Sequence, residues 1–378
     1  MEIKNILKAP IRWEQSLHNE IVKRKLYAIK DKPVSEYLAA NDVPELSLSE
    51  KRIISEYWKQ YGIRIRDFSW FRWFSYVYGE FSPRFIPSAI YGYIIFPYYN
   101  KEDFMEAWKD KNYFYRFLPN VPFPRAIAKR ISGKYYIIDN QCVEWRGVED
   151  ALLHEKGVIV KDAIESGEGR GVKKYNINNR VDVKQLFEDW KTSDNWLAQT
   201  VIRQHLFFSQ FNESSVNIMR ITSFHHNGVV DIIAPCLRIG IPGYVTDICF
   251  IDGVEAGRVC GITKDGYLMD EIISFDGKHS KTADVAPNYK TKIPRWDDII
   301  TMIKENHPKL GHFDIIGWDF TVDENNQIIC IEYNVRRPGT VFYQYCHGPF
   351  FGTYTDEVLS FLKTPDNQRK YIPSYYRI

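Results

Sequence analysis

Residues 317–340 read GWDFTVDENNQIICIEYNVRRPGT. Two alternating runs flank the polar stretch DENNQ, which is the pattern of two strands joined by a turn. Folding the segment about Asn325–Asn326 sets Asp319 opposite Glu332. In that register Trp318, Phe320 and Val322 share one side with Ile329, Ile331 and Tyr333, an apolar side expected to face a core. The other side carries Gly317, Asp319, Thr321, Cys330, Glu332 and Asn334. Opposed carboxylates, with Cβ atoms about 4.5–5.5 Å apart, destabilise a sheet. At roughly 5 Å and an effective dielectric near 20 they repel by about 3 kcal/mol, so an offsetting charge is expected. An oxygen-rich side with room above Gly317 suits a hard divalent cation such as magnesium. A hairpin face that turns both carboxylates to water is the alternative.

Other chemistry-bearing positions lie upstream. Lys161 ends the apolar run GVIVK, and SGEGRGV follows at 166–172. Three alternating glycines, Gly167, Gly169 and Gly171, can bring backbone N–H groups close to phosphate oxygens. The loop lacks the GxxxxGK[ST] pattern, and a flexible glycine hairpin is the alternative. Lys111, in DKNYF, precedes Pro124 by thirteen residues, and by spacing alone it reads as a surface lysine. Gln199 stands where a strand ends, in QTVI. Arg220 lies in the apolar run VNIMRI and Arg238 in CLRIG; each needs an anionic partner, either a protein carboxylate or a ligand. Arg336 and Arg337 follow the hairpin, as part of a charged turn or of a site. His205, His225 and His226 are candidate proton acceptors or structural groups.

The chain has 378 residues, 44% hydrophobic and 15% aromatic, enough for two or three domains or subdomains. A formal charge of +2 lacks the basic excess of a nucleic-acid protein. Six cysteines, at 142, 236, 249, 260, 330 and 346, form no CxxC pair and no zinc spacing, which fits a reducing cytoplasm. The opening MEIKNILKAPIRWEQ has no apolar signal core, and no run approaches about 18–20 apolar residues. A soluble intracellular protein is expected. The aromatic crowding of 57–99 leaves peripheral membrane contact open beside core packing. Ser47 and Glu50 match a capping box opening a helix that Gly62 ends. Further helices are expected near 148–154, 183–189, 296–306 and 356–362. Strands are expected at 126–131, 135–139, 157–161, 196–202, 218–224 and 229–235. The pattern is mixed α+β with antiparallel signals.

Together these pieces resemble the ATP-grasp superfamily. Asp319, then Glu332 thirteen residues on, then Asn334, is similar in order and spacing to the metal-ligand set of D-alanine–D-alanine ligases, and EYNVRRPG is similar to many C-terminal motifs of the superfamily. The order Lys111, Lys161, glycine loop, hinge at 199–202 is similar as well. VNIMRI, CLRIG, DGYL at 265–268 and KIPRWDDI resemble one branch, the sugar-transfer-associated ATP-grasp proteins of bacterial capsule and surface-polysaccharide gene clusters. Two departures stand out. The hinge position that is often Glu is Gln199, and Gly317 occupies the place of an arginine two residues before the first metal carboxylate, which makes a D-alanine ligase itself unexpected.

The resemblance implies an ATP-grasp fold in which two α+β subdomains grip ATP. The division is an N-terminal helical, aromatic-rich domain (1–100), a lid subdomain (101–200), a C-terminal subdomain with the hairpin (201–365) and a tail (366–378). It implies an ATP- and Mg²⁺-dependent ligase that activates a carboxylate as an acylphosphate for attack by an amine or other nucleophile, in surface-polysaccharide or cell-envelope biosynthesis. A kinase-like phosphotransferase, or a nucleotide-binding relative without turnover, is the alternative. Lys111, Lys161, Ser166, Gly167, Gly169, Gly171, Gln199 and Ile202 are the implied nucleotide contacts. Asp319, Glu332 and Asn334 are the implied metal ligands, with the cation bringing nucleotide in. Arg220, Arg238 and Arg337 are the candidate transition-state cations. Small or sugar-linked carboxylate and amine substrates are implied, and no nucleic acid; oligomeric state is left open.

Overall fold

In the computed structural model, which describes residues 25, 28–137, 140–164, 171–373 and 376–377, the quoted segment is a hairpin. Gly317 lies opposite Asn334, Trp318 opposite Tyr333 and Asp319 opposite Glu332. Beyond Asp319 the pairing slips: Phe320 meets Cys330, Thr321 meets Ile329 and Val322 meets Ile328. The expected pairing of Phe320 with Ile331 is therefore corrected, and Ile331 is the extra residue of a bulge. The cause lies in the turn. Asp323 Oδ1 accepts from the backbone N–H groups of Asn325 and Gln327, and Asn326 takes a left-handed conformation at φ 59°. This centres the turn on Asn325. The bulge restores the offset so that the two carboxylates still face each other.

The chain divides into two compact units. Residues 100–338 form one. Its first sheet has the order β3-β2-β1-β6-β4-β5, built from β1 (Ala126–Ile131), β2 (Lys134–Ile137), β3 (Gln141–Val143), β4 (Gly157–Asp162), β5 (Val172–Asn176) and β6 (Trp196–Thr200). Then follow β7 (Ile218–His226) and β8 (Val229–Ile239), a short ribbon of β9 (Cys249–Ile251) and β10 (Val254–Ala256), and β11 (Arg258–Ile262), β12 (Leu268–Ser274) and β13 (His279–Lys281). The hairpin supplies β14 (Ile315–Val322) and β15 (Ile328–Asn334). The second sheet runs β13-β12-β11-β8-β7-β14-β15, and the pairings in both sheets are antiparallel. Helices Trp145–Leu153 and Arg180–Trp190 cover one face of the first sheet, packing Val148, Leu152, Val183 and Leu186 on Ala128, Val158, Val160 and Ala198. Alternation along the strands then puts Lys129, Lys161, Leu197 and Gln199 on the opposite face.

The other unit joins the described residues before 100 to those after 338. The expected capping box is present: Ser47 Oγ accepts from the Glu50 N–H, and the Glu50 carboxylate accepts from the Ser47 N–H, at the start of helix Leu48–Lys59. Aromatic helix Ser69–Tyr78 ends at Gly79 in a left-handed cap. Gln344, in helix Val341–His347, donates to Ile86 O and accepts from Ile86 N, and Trp73 Nε1 donates to Tyr345 Oη at 2.8 Å. No helix among the described residues is long and apolar enough to cross a membrane. All six cysteines are free thiols, four of them buried.

The apolar side of β14 ends in a buried relay. Trp318 Nε1 donates to Ser223 Oγ at 2.7 Å, Ser223 Oγ bonds His307 Nδ1 at 2.6 Å, and His307 Nε2 meets Phe313 O at 2.9 Å. A carbonyl only accepts, so Nε2 carries the proton, Nδ1 accepts and the imidazole is neutral. Burial pushes its pKa down to about 4. Between pH 6.5 and 4 the unfolded chain holds a proton that the folded chain refuses, so stability falls as pH is lowered through that window. From pH 7 to 5 the loss assignable to His307 is about 2 kcal/mol. Urea unfolding of wild type and H307Q at both pH values should differ in pH dependence by about that amount; equal dependence would contradict a neutral buried His307.

Candidate functional site

The carboxylate side of the second sheet is laid out in rows. One row holds Asn334, Gly317 and Thr222; the next holds Glu332, Asp319, Arg220 and Cys236. Arg220 grips Asp319 with two donors, Nε to Oδ1 and Nη2 to Oδ2 at 2.8 Å. Asn334 Nδ2 donates to Asp319 Oδ2 at 3.2 Å and to Glu332 Oε1 at 3.4 Å. Arg238 Nη1 stands 4.0 Å from Asp319 Oδ1, while its Nη2 pairs with Asp247, from the loop between β8 and β9. Lys111 Nζ lies 3.3 Å from Glu332 Oε2. The charged groups of this cluster apart from Glu332 are close to nine-tenths buried or more.

Burial alone would raise the pKa of Glu332; Lys111 and Lys161, followed by Arg220, outweigh it and hold the carboxyl at about 2. Burial pushes Lys161 down to about 8, against the opposing pull of Glu332. Burial, reinforced by Asp319 and Glu332, pushes the Cys330 thiol well above its ordinary value, which leaves it a protonated thiol. Asp247 is raised by burial in spite of Arg238. The offset sought for the facing carboxylates is thus supplied by the protein's own cations. Arg220 and Arg238 find their anionic partners in protein carboxylates.

Four cations (Lys111, Lys161, Arg220, Arg238) surround three carboxylates (Asp247, Asp319, Glu332), an excess of one positive charge. Among the described residues no three His, Cys, Asp or Glu side chains are grouped to hold a metal by themselves. Two carboxylates and an amide oxygen fit a magnesium ion that keeps other oxygen ligands. The buried hydroxyls of Thr222 and Thr321, on the same side of the sheet, have no protein hydrogen-bond partner among the described residues. The donor set fits a cation that arrives with an anion, since the excess positive charge opposes a bare one.

A cavity of about 440 Å³ opens beside this cluster, a size suited to a small-molecule ligand. Lys111, Lys161 and Gln199 line it, with Tyr115, Pro124, Leu197 and Ile331. Gln199 Nε2 donates to Pro124 O at 3.1 Å. Because that oxygen only accepts, the amide orientation is chemically fixed and Oε1 is its remaining polar atom. Ile202 follows β6, half-buried. Ser166, Gly167 and Gly169 lie outside the described residues. Gly171 is described at φ 66°, and a Cβ there would collide with Asp162. Arg337 pairs with Glu102 in helix Glu102–Trp108. His205 caps the short helix Leu206–Ser209, and His226 pairs with Asp231 at 3.0 Å.

Sequence reasoning missed two residues. Lys129 also lines the cavity, in one cross-strand row with Leu197 and Lys161. Its ammonium lies over the Tyr115 ring at 3.9 Å and donates to Asn112 O at 3.1 Å. A lysine inside AIAKRI carries the same signal as Arg220 and could have been found. Asp247 sits in an irregular loop, where no periodicity marks it.

The pattern of the sugar-transfer associated ATP-grasp family matches residues 96–352, more than half of the chain. No curated protein matches the sequence. Among solved structures, D-alanyl-alanine synthetase A from Vibrio cholerae O1 is 13% identical, with a TM-score of 0.40, over 68% of this chain and 66% of that one. N5-carboxyaminoimidazole synthetase from Staphylococcus aureus, solved with ADP, is 12% identical, TM-score 0.37, over 67% and 47%. Biotin carboxylase from Campylobacter jejuni is 11% identical, TM-score 0.41, over 68% and 46%. The chain thus spans less than two thirds of the length of each.

The expected room above Gly317 is corrected: Pro338 and the Arg220 stem fill that space, and glycine is what lets them approach the strand. A Cβ there would come 2.9 Å from Pro338 Cβ and 3.5 Å from Arg220 Cδ. Overfilling such a site costs about 1–3 kcal/mol. Urea denaturation of G317A should show a loss of that size, and wild-type stability would contradict the close approach.

Proposed function

The chain belongs to the sugar-transfer associated ATP-grasp family, and on that premise we propose that it is an ATP- and magnesium-dependent ligase joining a carboxylate to an amine. The observation that carries this reading is the placement of Lys111 and Lys161: both line the cavity, and both act on Glu332, which faces Asp319. A polyphosphate seated between the lysines would reach from the cavity to the carboxylates. Asp319, Glu332 and Asn334 are the residues that would hold magnesium, which supplies charge neutralisation on the phosphates.

Gln199 and Ile202 bound the base end. With Nε2 committed to Pro124 O, Gln199 offers a carbonyl, which accepts from the exocyclic amine of adenine and repels the carbonyl of guanine. Lys111 and Lys161 would neutralise the phosphates, and the 166–172 loop would supply backbone donors to them. A substrate carboxylate oxygen attacks the γ-phosphorus, the bond to the β–γ bridging oxygen breaks, and ADP leaves. An amine then attacks the acylphosphate carbon, phosphate departs, and the proton lost from nitrogen goes to solvent. Such transfer depends on positioning and electrostatics more than on a protein nucleophile, and Arg220 and Arg238 are the cations nearest Asp319. Arg337, held by Glu102, has the weaker case.

The family's association with sugar transfer supports a place in surface-polysaccharide assembly in the cytoplasm, with a uronic acid, an amino sugar or an amino acid as substrate. The test is an ADP-release screen of carboxylates against amines with Mg²⁺ present. ADP should accumulate only when both partners are supplied. ADP released with one partner alone, leaving a stable phosphorylated product, would overturn the ligase reading in favour of a phosphotransferase.

A further inference from the structure

Asp319 is the most enclosed carboxylate of the cluster, and its surroundings are those of a completed ion pair. Its side chain is 3% exposed, and that of Arg220 is 9% exposed. The guanidinium addresses both oxygens through Nε and Nη2, a fork that takes one lone-pair position on each oxygen of the carboxylate. Asn334 Nδ2 takes a further position on Oδ2. A cation binding Asp319 while this fork is closed would meet an already compensated carboxylate and a positive charge in contact with it.

The two arginines near Asp319 are not equivalent. Arg238 is tied by Nη2 to Asp247 and stands 4.0 Å from Asp319. Arg220 bonds Asp319 directly with two donors, and its Cδ packs over Gly317 beside Pro338.

We infer that Arg220 is an exchangeable counter-ion: Asp319 trades the guanidinium for the metal that enters with the nucleotide, and the released Arg220 becomes the partner of the substrate's carboxylate. This rests on the proposed nucleotide reading of the same site. The exchange explains how a carboxylate can be buried and stable before the ligand arrives and still serve as a ligand afterwards. It also sets an order, because Arg220 is unavailable to an anionic substrate until Asp319 has released it. Asn334 takes part as well: its amide now donates to both carboxylates and would have to turn over to present Oδ1 to a cation.

The test is direct binding of Mn²⁺, as a magnesium substitute, to the full chain without nucleotide, read by the electron paramagnetic resonance of free Mn²⁺. Removing a unit positive charge beside a divalent site in partly hydrated surroundings is expected to tighten binding about tenfold or more, so R220M should bind Mn²⁺ at least tenfold more tightly than wild type. R220K, which keeps the charge but loses the fork, should fall between them. R220M leaves Asp319 buried without its main partner, so its melting temperature is measured in parallel and should rise with Mn²⁺ more than that of wild type. Mn²⁺ affinities of R220M and R220K equal to wild type would overturn the exchange. If R220M does not fold even with Mn²⁺, R220K decides on the same criterion. A wild type that fails to bind Mn²⁺ with ADP, beside an R220M that binds Mn²⁺ tightly, would sink the nucleotide reading and leave the counter-ion role standing.

Discussion

The structure of the 100–338 unit turns on one juxtaposition, that of Asp319 and Glu332 side by side on adjacent strands. The pairing is unfavourable by itself, and the surrounding sheet is arranged to hold it. Arg220 comes from the neighbouring strand β7 at the paired position, Arg238 from β8, and Lys111 and Lys161 from the segment and strand that border the cavity. A buried ion pair gives little net stability against an apolar alternative, and removing one partner costs far more. The cluster is therefore better understood as a binding device than as a stabilising one. On the proposed reading its excess positive charge would receive a polyanion.

The two faces of β14 divide the labour. Asp319 and Gly317 open onto the charged side. Trp318, one position over, anchors the opposite side through Ser223 and the neutral His307. A strand held rigidly on one face can hold charged groups at fixed separations on the other, which electrostatic preorganisation requires. The first sheet has the same design, with apolar helices on one side and Lys129, Lys161 and Gln199 towards the cavity on the other.

Much of this was legible in the sequence. Alternation gave the hairpin and the facing carboxylates, and the Ser47–Glu50 capping box and helix Trp296–Asn306 followed from local signals. The family followed from several short motifs in order. What escaped was non-local or irregular. The bulge at Ile331 follows from a turn centred on Asn325 and interrupts the alternation; beside it the Cys330 N–H donates to Pro122 O, far away in sequence. Strands β11 to β13 are short, and β12 mixes buried with exposed positions, which blurs its period. The return of residues after 338 to pack with those before 100, through Gln344 and Ile86, leaves no mark in either segment alone. The partners of Arg220 and Arg238 could be named only as a class, because the choice between a protein carboxylate and a ligand depends on strand order.

The sequence suggested that a cation draws nucleotide into the site. From the excess positive charge of the cluster we propose instead that nucleotide can bind before the metal, and this is the claim on which the account depends. Titration calorimetry with a non-hydrolysable ATP analogue tests it most directly, run in chelator, with Mg²⁺ added, and with Mg²⁺ alone. The account predicts that the analogue binds without metal, that Mg²⁺ then tightens the complex, and that Mg²⁺ alone binds only weakly. Tight binding of Mg²⁺ alone, with no analogue binding in chelator, would contradict it.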